Sequence, residues 1–418
     1  MRGAHDAQHH APREYQSGDR RRTPRRVHYH PGHSCDKKER LSPFATPSLV
    51  YRSVTLNDLR RFTVARNFPK PTTLKTVLQR LGFLQADPIR APARAQDLIL
   101  RHRVKDYGAG DLERRYATLD VEEDFFINYG YVTRALQTLM HPRSNSPVPE
   151  NDIIHPFARR RKKRAKLLLD FIRERGEVHP RDVDGHFAHG KVTNYWGGSS
   201  NATTHLLDAM HYSGLLRIAR REKGIRIYKI HQHEPAPKGA AERRVRVDAL
   251  VDVVVRLYAP LPGPSLSYYV GRLRYAVPQW KKELPGALQR AKQRLRYERV
   301  ENVDWYWPEN EEIDKGPENV VRLLAPFDPV VHDRARFERL WGWIYRLEAY
   351  TPVAKRKLGY YALPVFWREH AIGWANLSVK NRELLVDLRY VDTAPPRDRA
   401  FKRELEEEFD RMREFLRL

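Results

Sequence analysis

The sequence predicts an α+β protein built from tandem winged helix-turn-helix modules with a small C-terminal β-domain. Apolar residues recur at three- and four-residue spacing in segments such as "TTLKTVLQRLGF", which is typical of amphipathic helices. Groups of helices are followed by paired short strands, and the last hundred residues alternate between apolar and polar side chains. These three observations favour winged helices followed by a sheet.

The charge of the chain indicates a polyanionic partner. Its 418 residues include 77 Lys and Arg against 52 Asp and Glu, a net charge of +25. Residues 1–45 hold ten of the basic and five of the acidic residues, so most of the excess belongs to the remainder. Nucleic acid is the usual partner of so basic a chain. No apolar run approaches the roughly 18 residues of a membrane-spanning helix.

Residues 1–45 are predicted to be a disordered basic extension. They are rich in His, Arg, Pro and Gly, and His28, His30 and His33 form only a weak candidate metal site. The single cysteine, Cys35, excludes disulfides within the chain and thiolate metal centres, and no metal or cofactor is expected. Because the N-terminus lacks an apolar stretch, we expect a cytoplasmic protein associated with the nucleoid.

Residues 46–150 are predicted to form a helical or winged-helix domain. Its first helix follows Thr55, a candidate N-cap, and a second helix stops at Gly82. The stretch "LGFLQADPIRAPAR" comes next, and Pro88 disfavours a helical conformation at Asp87. The sequence therefore predicts an extended segment there.

In an extended segment, Gln85 and Asp87 lie on one face, and Leu84 and Ala86 on the other. A carboxylate beside an amide can hold and deprotonate one water molecule. The alternative is structural: Asp-Pro is a common turn signal, in which the Asp side chain caps the backbone. The local pattern leaves both interpretations open.

Residues 151–235 are predicted to form a winged helix. Three helical segments precede "LLRIARREKGIRIYKI", which has the alternation of a β-hairpin around "EKG". The basic residues of this wing favour contact with nucleic acid, although many winged helices are only scaffolds or protein interfaces. The wing residues are Arg217, Arg220, Arg221, Lys223 and Arg226.

Two further modules complete the prediction. Residues 236–318 repeat the order of helices followed by a strand pair, "RYERVENVDWYWPE". Residues 319–418 alternate in "YYALPVFWREHAIGWANLSVKNRELLVDLRYV", with turns at "REHA" and "VKNRE", and end in an amphipathic helix. The last module is therefore a small β-domain with a closing helix.

Two long stretches carry a family likeness. "PFDPVVHDR" joined to "YRLEAYTPVAKRKLGYYALP", together with "LQADPIR", resembles the YcaQ/AlkZ group of winged-helix DNA glycosylases. The resemblance runs from about residue 55 to 395. It implies removal of alkylated purines, N7-alkylguanine above all, and unhooking of interstrand crosslinks. The family signature of Gln, an apolar residue, then Gln or Asp falls on Gln85, Ala86 and Asp87.

The resemblance also defines a mechanism. An N7-alkylated purine is a cation and already a good leaving group, so the enzyme needs a carboxylate and an activated water. We expect Asp87 to act as base and stabiliser and Gln85 to orient the water. No lysine nucleophile is proposed, so a monofunctional enzyme is expected. Its partner would be double-stranded DNA with alkylated or crosslinked purines, bound by a monomer with no role for a membrane.

Further site residues follow from position. The predicted DNA contacts outside the wing are Arg90, Arg94, Lys355 and Arg356. The segment "FFINYGYVTRALQTLMHPR" could line the site with Tyr129, Tyr131, His141 and Arg143. Family members commonly carry Gly-Arg-x-Asp-x-Lys on a late strand, whereas this chain has "GWANLS", with Trp374, Asn376 and Ser378. This departure weakens the transfer of late-strand DNA contacts.

Two other functions are compatible with parts of the sequence. A non-enzymatic winged-helix regulator would have the same composition and the same basic wing. A nuclease would need the motif "PFDPVVHD" to supply Asp328, His332 and Asp333 as metal ligands. We see no second carboxylate cluster to complete a two-metal site, so the nuclease is the weaker alternative.

Overall fold

The computed structural model describes residues 53–143, 159–187, 191–193, 199–232, 234–313, 318–392 and 394–418. Residues 53–418 form one compact unit. The predicted extension, with the candidate metal-site histidines and Cys35, lies outside the described residues, as does the boundary segment "SNSPVPEND". Within the described part of the chain, every helix is too short or too polar to cross a bilayer.

The N-terminal segment combines helices with a three-stranded sheet. Its elements are α1 (Leu56–Asn67), α2 (Leu74–Leu81), β1 (Phe83–Gln85), α3 (Ala95–Leu100), α4 (Asp111–Arg115), β2 (Val121–Phe125), β3 (Tyr129–Thr133) and α5 (Arg134–Met140). Thr55 caps α1 in a reciprocal capping box with Asp58, as expected from a Thr before the helical pattern. The antiparallel sheet has the order β1-β3-β2.

The β2–β3 hairpin was not recognised in the sequence. It falls in "EEDFFINYGYVT", whose acidic residues disguise a strand. Glu122, Glu123 and Asp124 are each only 1% exposed, because every one of these side chains binds a basic partner. Buried ion pairs thus replace the apolar residues that a strand normally shows.

Residues 159–230 contain the predicted helices and hairpin. The elements are α6 (Arg159–Arg175), β4 (Glu177–Val178), α7 (Pro180–Phe187), β5 (Lys191–Thr193), β6 (Ser199–Asn201), α8 (Ala202–Tyr212), β7 (Leu216–Glu222) and β8 (Ile225–Ile230). The sheet order is β4-β8-β7. Lys223 and Gly224 form the hairpin turn with φ of 49° and 85°, as a two-residue turn requires.

Residues 240–307 repeat this order of elements. They form α9 (Ala240–Tyr258), β9 (Leu261–Pro262), α10 (Gly263–Arg272), α11 (Leu284–Arg294), β10 (Arg296–Val300) and β11 (Val303–Trp307). The sheet order is β10-β11-β9, so a short strand between the first two helices again joins the final hairpin. The strand pair predicted at "RYERVENVDWYWPE" is present.

The C-terminal segment is a four-stranded sheet with two helices. It consists of β12 (Val321–Leu323), α12 (Arg334–Trp341), β13 (Leu363–Trp367), β14 (His370–Lys380), β15 (Glu383–Tyr390) and α13 (Arg399–Leu416). The strands follow one another in space, and the turns lie at the two predicted places. The apolar face of the closing helix is buried, and its Phe415 stacks on Tyr107 with ring centroids 6.3 Å apart. This contact ties α13 to the N-terminal segment.

Candidate active site

Gln85 and Asp87 lie on the extended segment that leaves α2. Gly82 ends the helix with φ of 69°, β1 follows, and Gln85 pairs with Gly130 on β3. A Cβ at Gly130 would collide with the carbonyl oxygen of Leu84, so this close approach requires glycine. The Ala86 N–H donates to the Tyr129 carbonyl at 3.1 Å, which extends the strand pairing up to the motif. The predicted extended conformation is confirmed.

The two interpretations of Asp87 apply to different atoms of the carboxylate. Its Oδ1 accepts a hydrogen bond from the Ile89 N–H at 2.8 Å, which is the predicted Asx turn. Its backbone N–H donates to Oε1 of Gln96 at 3.2 Å, so the loop is held from both sides. Among the described residues, no hydrogen bond reaches Oδ2, and no basic side chain forms an ion pair with Asp87. Half of the carboxylate is therefore available for chemistry.

The electrostatics of Asp87 are those of a buried charge without a counter-ion. The residue is 8% exposed, and this burial raises the pKa of its carboxyl, although the bond from Ile89 acts in the opposite direction. Gln85, 5% exposed, carries an amide oxygen that is buried without a hydrogen-bond partner among the described residues. A carboxylate in such surroundings favours a positively charged ligand or transition state.

Two tyrosines from the C-terminal segment lie near enough to Asp87 to be affected by its charge. Burial and the charge of Asp87 together raise the pKa of Tyr350 and of Tyr361. Tyr361 is 2% exposed, whereas Tyr350 is 77% exposed. The site is thus built from two distant stretches of chain, "LQADPIR" and "LEAYTPVAKRKLGYYALP".

Glu348 holds the second stretch in place. Its Oε2 accepts the backbone N–H groups of Lys357, Leu358 and Gly359 at 2.8, 2.7 and 3.2 Å. Gly359 has φ of 114°, and a Cβ there would collide with the side chain of Asn376. Hydrogen bonds from backbone N–H groups to a carboxylate are strong, so these three bonds stabilise an otherwise irregular loop. Tyr360 and Tyr361 follow directly after this anchored turn.

A groove runs past the site. One cavity of about 790 Å³ is bounded by residues 90–92, 359–361 and the β14–β15 hairpin. A second cavity of about 770 Å³ shares Arg90, Pro92 and Val379 with the first and extends to Lys223 at the wing tip. Its lining includes Arg90, Arg94, Arg114, Arg221 and Lys223, together with the acidic residues Asp97 and Glu113. We call the two cavities together the groove. It begins at Arg90, shortly after Asp87 in the chain, and reaches the wing turn and the C-terminal sheet, whereas Gln85 and Asp87 are not among its lining residues.

The predicted DNA contacts divide into two classes. All four wing arginines are held by carboxylates: Arg217 by Glu122, Arg220 by Glu177 and Glu222, Arg221 by Glu123 and Arg226 by Asp208. Arg94 pairs with Glu113 at 2.9 Å, and Arg356 donates to the Thr351 carbonyl at 2.8 Å. Among the described residues, no ion pair engages Arg90, Lys223 or Lys355, and all three are exposed. Among the predicted DNA contacts, these three cations are the ones without an ion pair in the described part of the chain.

The residues expected to line the site have other contacts. The Tyr129 hydroxyl donates to Glu123, and Tyr131 is buried against Tyr116. Asp124 binds His141 at 2.8 Å and Arg143 at 2.7 Å. His141 lines a different cavity, of about 400 Å³, together with side chains such as Glu122 and Arg217. The structure brings none of these four side chains together with the Asp87 carboxylate, so their lining role stays a prediction without a supporting contact.

The motif "PFDPVVHD" has a structural role. Asp328 is fully buried and binds Arg103 through both oxygens, at 2.7 and 3.0 Å. His332 bonds to the Tyr269 hydroxyl at 2.6 Å, and burial lowers its pKa to about 3. Asp333 caps α12. In the described part of the chain, no group of three His, Cys, Asp or Glu side chains is suited to a metal ion. These contacts account for the residues that the nuclease alternative required.

The segment "GWANLS", where the sequence departs from the pattern common in the resembling family, lies on β14 beside the groove. Asn376 donates to the Leu358 carbonyl at 2.8 Å and so supports the loop that carries Tyr361. Trp374 stacks on Trp343 with ring centroids 5.8 Å apart. Ser378 is exposed and lines the first cavity. Two of the three substituted side chains therefore stabilise the C-terminal segment.

Comparison with known proteins identifies the family. The family model described as "DNA glycosylase AlkZ-like" matches residues 78–415, most of the chain and both halves of the site. The chain belongs to the AlkZ-like DNA glycosylase family. It is a DNA N-glycosylase of DNA repair, as the sequence resemblance predicted, and the alternative of a non-enzymatic regulator is wrong.

The fold of this AlkZ-like glycosylase is also similar to a solved structure, Streptomyces sahachiroi DNA glycosylase AlkZ. The TM-score is 0.58 at 14% sequence identity, over 87% of this chain and 97% of that one. The similarity confirms the α+β class.

Sequence reasoning missed part of the site of this AlkZ-like enzyme. Glu348, Tyr350 and Tyr361 lie within the stretch that resembles the family, but no local pattern assigns them a role. Their only local signal is the density of polar and aromatic residues in an otherwise irregular segment. Their approach to Asp87 depends on the packing of the C-terminal segment against the N-terminal one, which no local pattern contains.

Proposed function

We propose that this glycosylase hydrolyses the N-glycosidic bond of N7-alkylated purines in double-stranded DNA and leaves an abasic site. Asp87 is the base and the electrostatic stabiliser, and Gln85 orients the water. The observation that supports this most strongly is a buried carboxylate, without an ion-pair partner among the described residues, on the loop that leads into the groove at Arg90. Such a carboxylate stabilises a cationic base and the oxocarbenium-like sugar.

The proposed reaction needs no general acid. The bond between C1′ and N9 breaks, and its electron pair neutralises the positive charge of the alkylated purine. The water oxygen bonds to C1′, while the proton of the water moves to Asp87. Because the nucleophile is water and not an amine, no covalent intermediate forms, and the strand stays intact.

Arg90 and Lys223 are proposed to contact phosphates. Both are exposed cations on the groove. Arg90 follows Asp87 in the N-terminal segment, and Lys223 lies in the turn of the β7–β8 hairpin. In this proposal the segments 159–230 and 240–307 serve as winged helices, and the wing arginines fix the wing instead of contacting DNA. Tyr350, highly exposed beside Asp87, suits a site open enough for a crosslinked purine.

A base-release assay tests the proposal. Wild-type protein is incubated with duplexes that contain N7-methylguanine, an N7-linked interstrand crosslink or no lesion. We expect free base and an abasic site from the methylated duplex, unhooking of the crosslink, and no release from the undamaged duplex. Strand cleavage before any heat or alkali treatment would contradict the monofunctional mechanism. No release from any alkylated duplex would contradict the function itself.

A further inference from the structure

The hydroxyl of Tyr361 differs from those of two other fully buried tyrosines, Tyr345 and Tyr269. It is buried and has no hydrogen-bond partner among the described residues. By contrast, the Tyr345 hydroxyl donates to the Ala362 carbonyl at 2.7 Å, and the Tyr269 hydroxyl bonds to His332 at 2.6 Å. Buried hydroxyls are normally satisfied, and one that is not usually has a functional reason.

The position of Tyr361 provides that reason. It follows the turn anchored by Glu348 and precedes β13, and it lines the same cavity as Arg90, just beyond Asp87. Burial and the nearby Asp87 charge raise the pKa of Tyr361, so its hydroxyl stays protonated and can donate a hydrogen bond. Tyr361 adds a donor from a second direction, opposite the two acceptors of the site that are unpartnered among the described residues, Oδ2 of Asp87 and Oε1 of Gln85.

The hydrogen-bonding capacity of one water molecule matches these groups. A water has two hydrogens and two lone pairs. Oδ2 of Asp87 and Oε1 of Gln85 can accept the two hydrogens, because Oδ1 of Asp87 is already bonded to Ile89. The Tyr361 hydroxyl can donate to one lone pair. The second lone pair is then left for the sugar carbon.

We propose that Tyr361 is a third positioning residue of the active site, whose hydroxyl orients the attacking water between Gln85 and Asp87. This inference rests on the proposed function. It adds a donor from the C-terminal segment to the two-residue motif of the N-terminal segment. Hydrolysis would therefore require both segments, and Asp87 would remain the group that takes the proton.

Tyr361→Phe tests this role, because it removes one oxygen and keeps the ring. We expect the single-turnover rate of N7-methylguanine release to fall about tenfold, the effect of one lost hydrogen bond. Duplex affinity should stay within about twofold, and the thermal midpoint should be unchanged or higher, since the hydroxyl removed has no partner among the described residues. Tyr345→Phe is the matched control: it should lower the thermal midpoint and leave the rate unchanged.

The outcomes are separable. A tenfold slower Tyr361→Phe with normal affinity supports the proposal. A Tyr361→Phe rate within twofold of wild type, in an assay in which wild type is active and Asp87→Asn is not, would overturn the role of Tyr361 alone. If the wild type releases no base, the proposed function fails, and the inference fails with it.

Discussion

At the scale of single residues, the two oxygens of the Asp87 carboxylate have different surroundings. One oxygen holds its own turn through Ile89, and the other has no partner among the described residues. An Asp before Pro was readable as a turn signal, and its two-residue spacing from Gln85 placed both on one extended segment. The third group, Tyr361, could not be predicted, because its approach depends on the packing of two stretches that lie far apart in the sequence.

The unpaired charge of Asp87 should lower the stability of the protein. Burial raises the pKa of Asp87, so the folded chain binds a proton there more tightly than the unfolded chain does. Stability therefore falls as the pH rises from the ordinary value of 3.8 through the pKa in the folded protein. We expect Asp87→Asn to raise the free energy of unfolding at pH 7 by about 0.5–2 kcal/mol. Below pH 3.8 the difference should disappear.

Denaturant unfolding checks this, with Asp328→Asn as the control. That substitution breaks a fully buried pair with Arg103 and should lower the free energy of unfolding by about 3–5 kcal/mol. If Asp87→Asn were as destabilising as Asp328→Asn, the Asp87 carboxylate would have a structural partner, contrary to our interpretation.

At the scale of elements, β2 fastens the wing to the N-terminal segment. Three successive acidic side chains on this strand bind basic partners. Arg221 donates two hydrogen bonds to Glu123, from Nε to Oε1 at 2.6 Å and from Nη2 to Oε2 at 2.5 Å. The hairpins at 216–230 and 363–390 were predictable from alternation and turn residues. The acidic strand was not, since burial of charge is visible only once the partners are known.

The Glu123 pair should be a major support of the wing. Burial alone would raise the pKa of Glu123, but Arg221 and Arg226 outweigh it and hold the pKa below its ordinary value. The stability that this pair contributes is present above pH 4.5 and is lost as the pH falls through the lowered pKa. We expect Glu123→Gln to lower the free energy of unfolding by about 3–5 kcal/mol at pH 7.

Glu222→Gln provides the matched control for thermal or denaturant unfolding. Glu222 binds Arg220 on the same hairpin, but both side chains are about half exposed. The exposed substitution should change stability by less than about 0.5 kcal/mol. Equal effects of the two substitutions would show that the buried acidic strand does not fasten the wing.

At the scale of the whole molecule, the basic residues behind the net charge of +25 differ in whether a carboxylate pairs with them. Ion pairs engage all four wing arginines, whereas Arg90 and Lys223 are exposed on the groove without an ion pair among the described residues. The composition correctly indicated a nucleic-acid partner but not which cations serve it. That choice depends on the acidic residues that folding brings beside each arginine.

The salt dependence of DNA binding tests this division of charge. Each phosphate contact contributes about 0.9 to the slope of log K against log salt concentration. We expect the double variant Arg90→Ala/Lys223→Ala to reduce the slope by about 2 in fluorescence titrations. Lys402→Ala removes an exposed lysine of α13 that lines neither cavity of the groove and should leave the slope unchanged. Equal slopes for the double variant and wild type would refute the assignment.

The most direct test of the account is the release of N7-methylguanine from a duplex under single-turnover conditions, measured for wild type and Asp87→Asn with the affinity of each for the same duplex. The account predicts release by wild type, a rate at least about 100-fold lower for Asp87→Asn, and similar affinities. Release by Asp87→Asn at the wild-type rate would contradict the central claim that the Asp87 carboxylate activates the water.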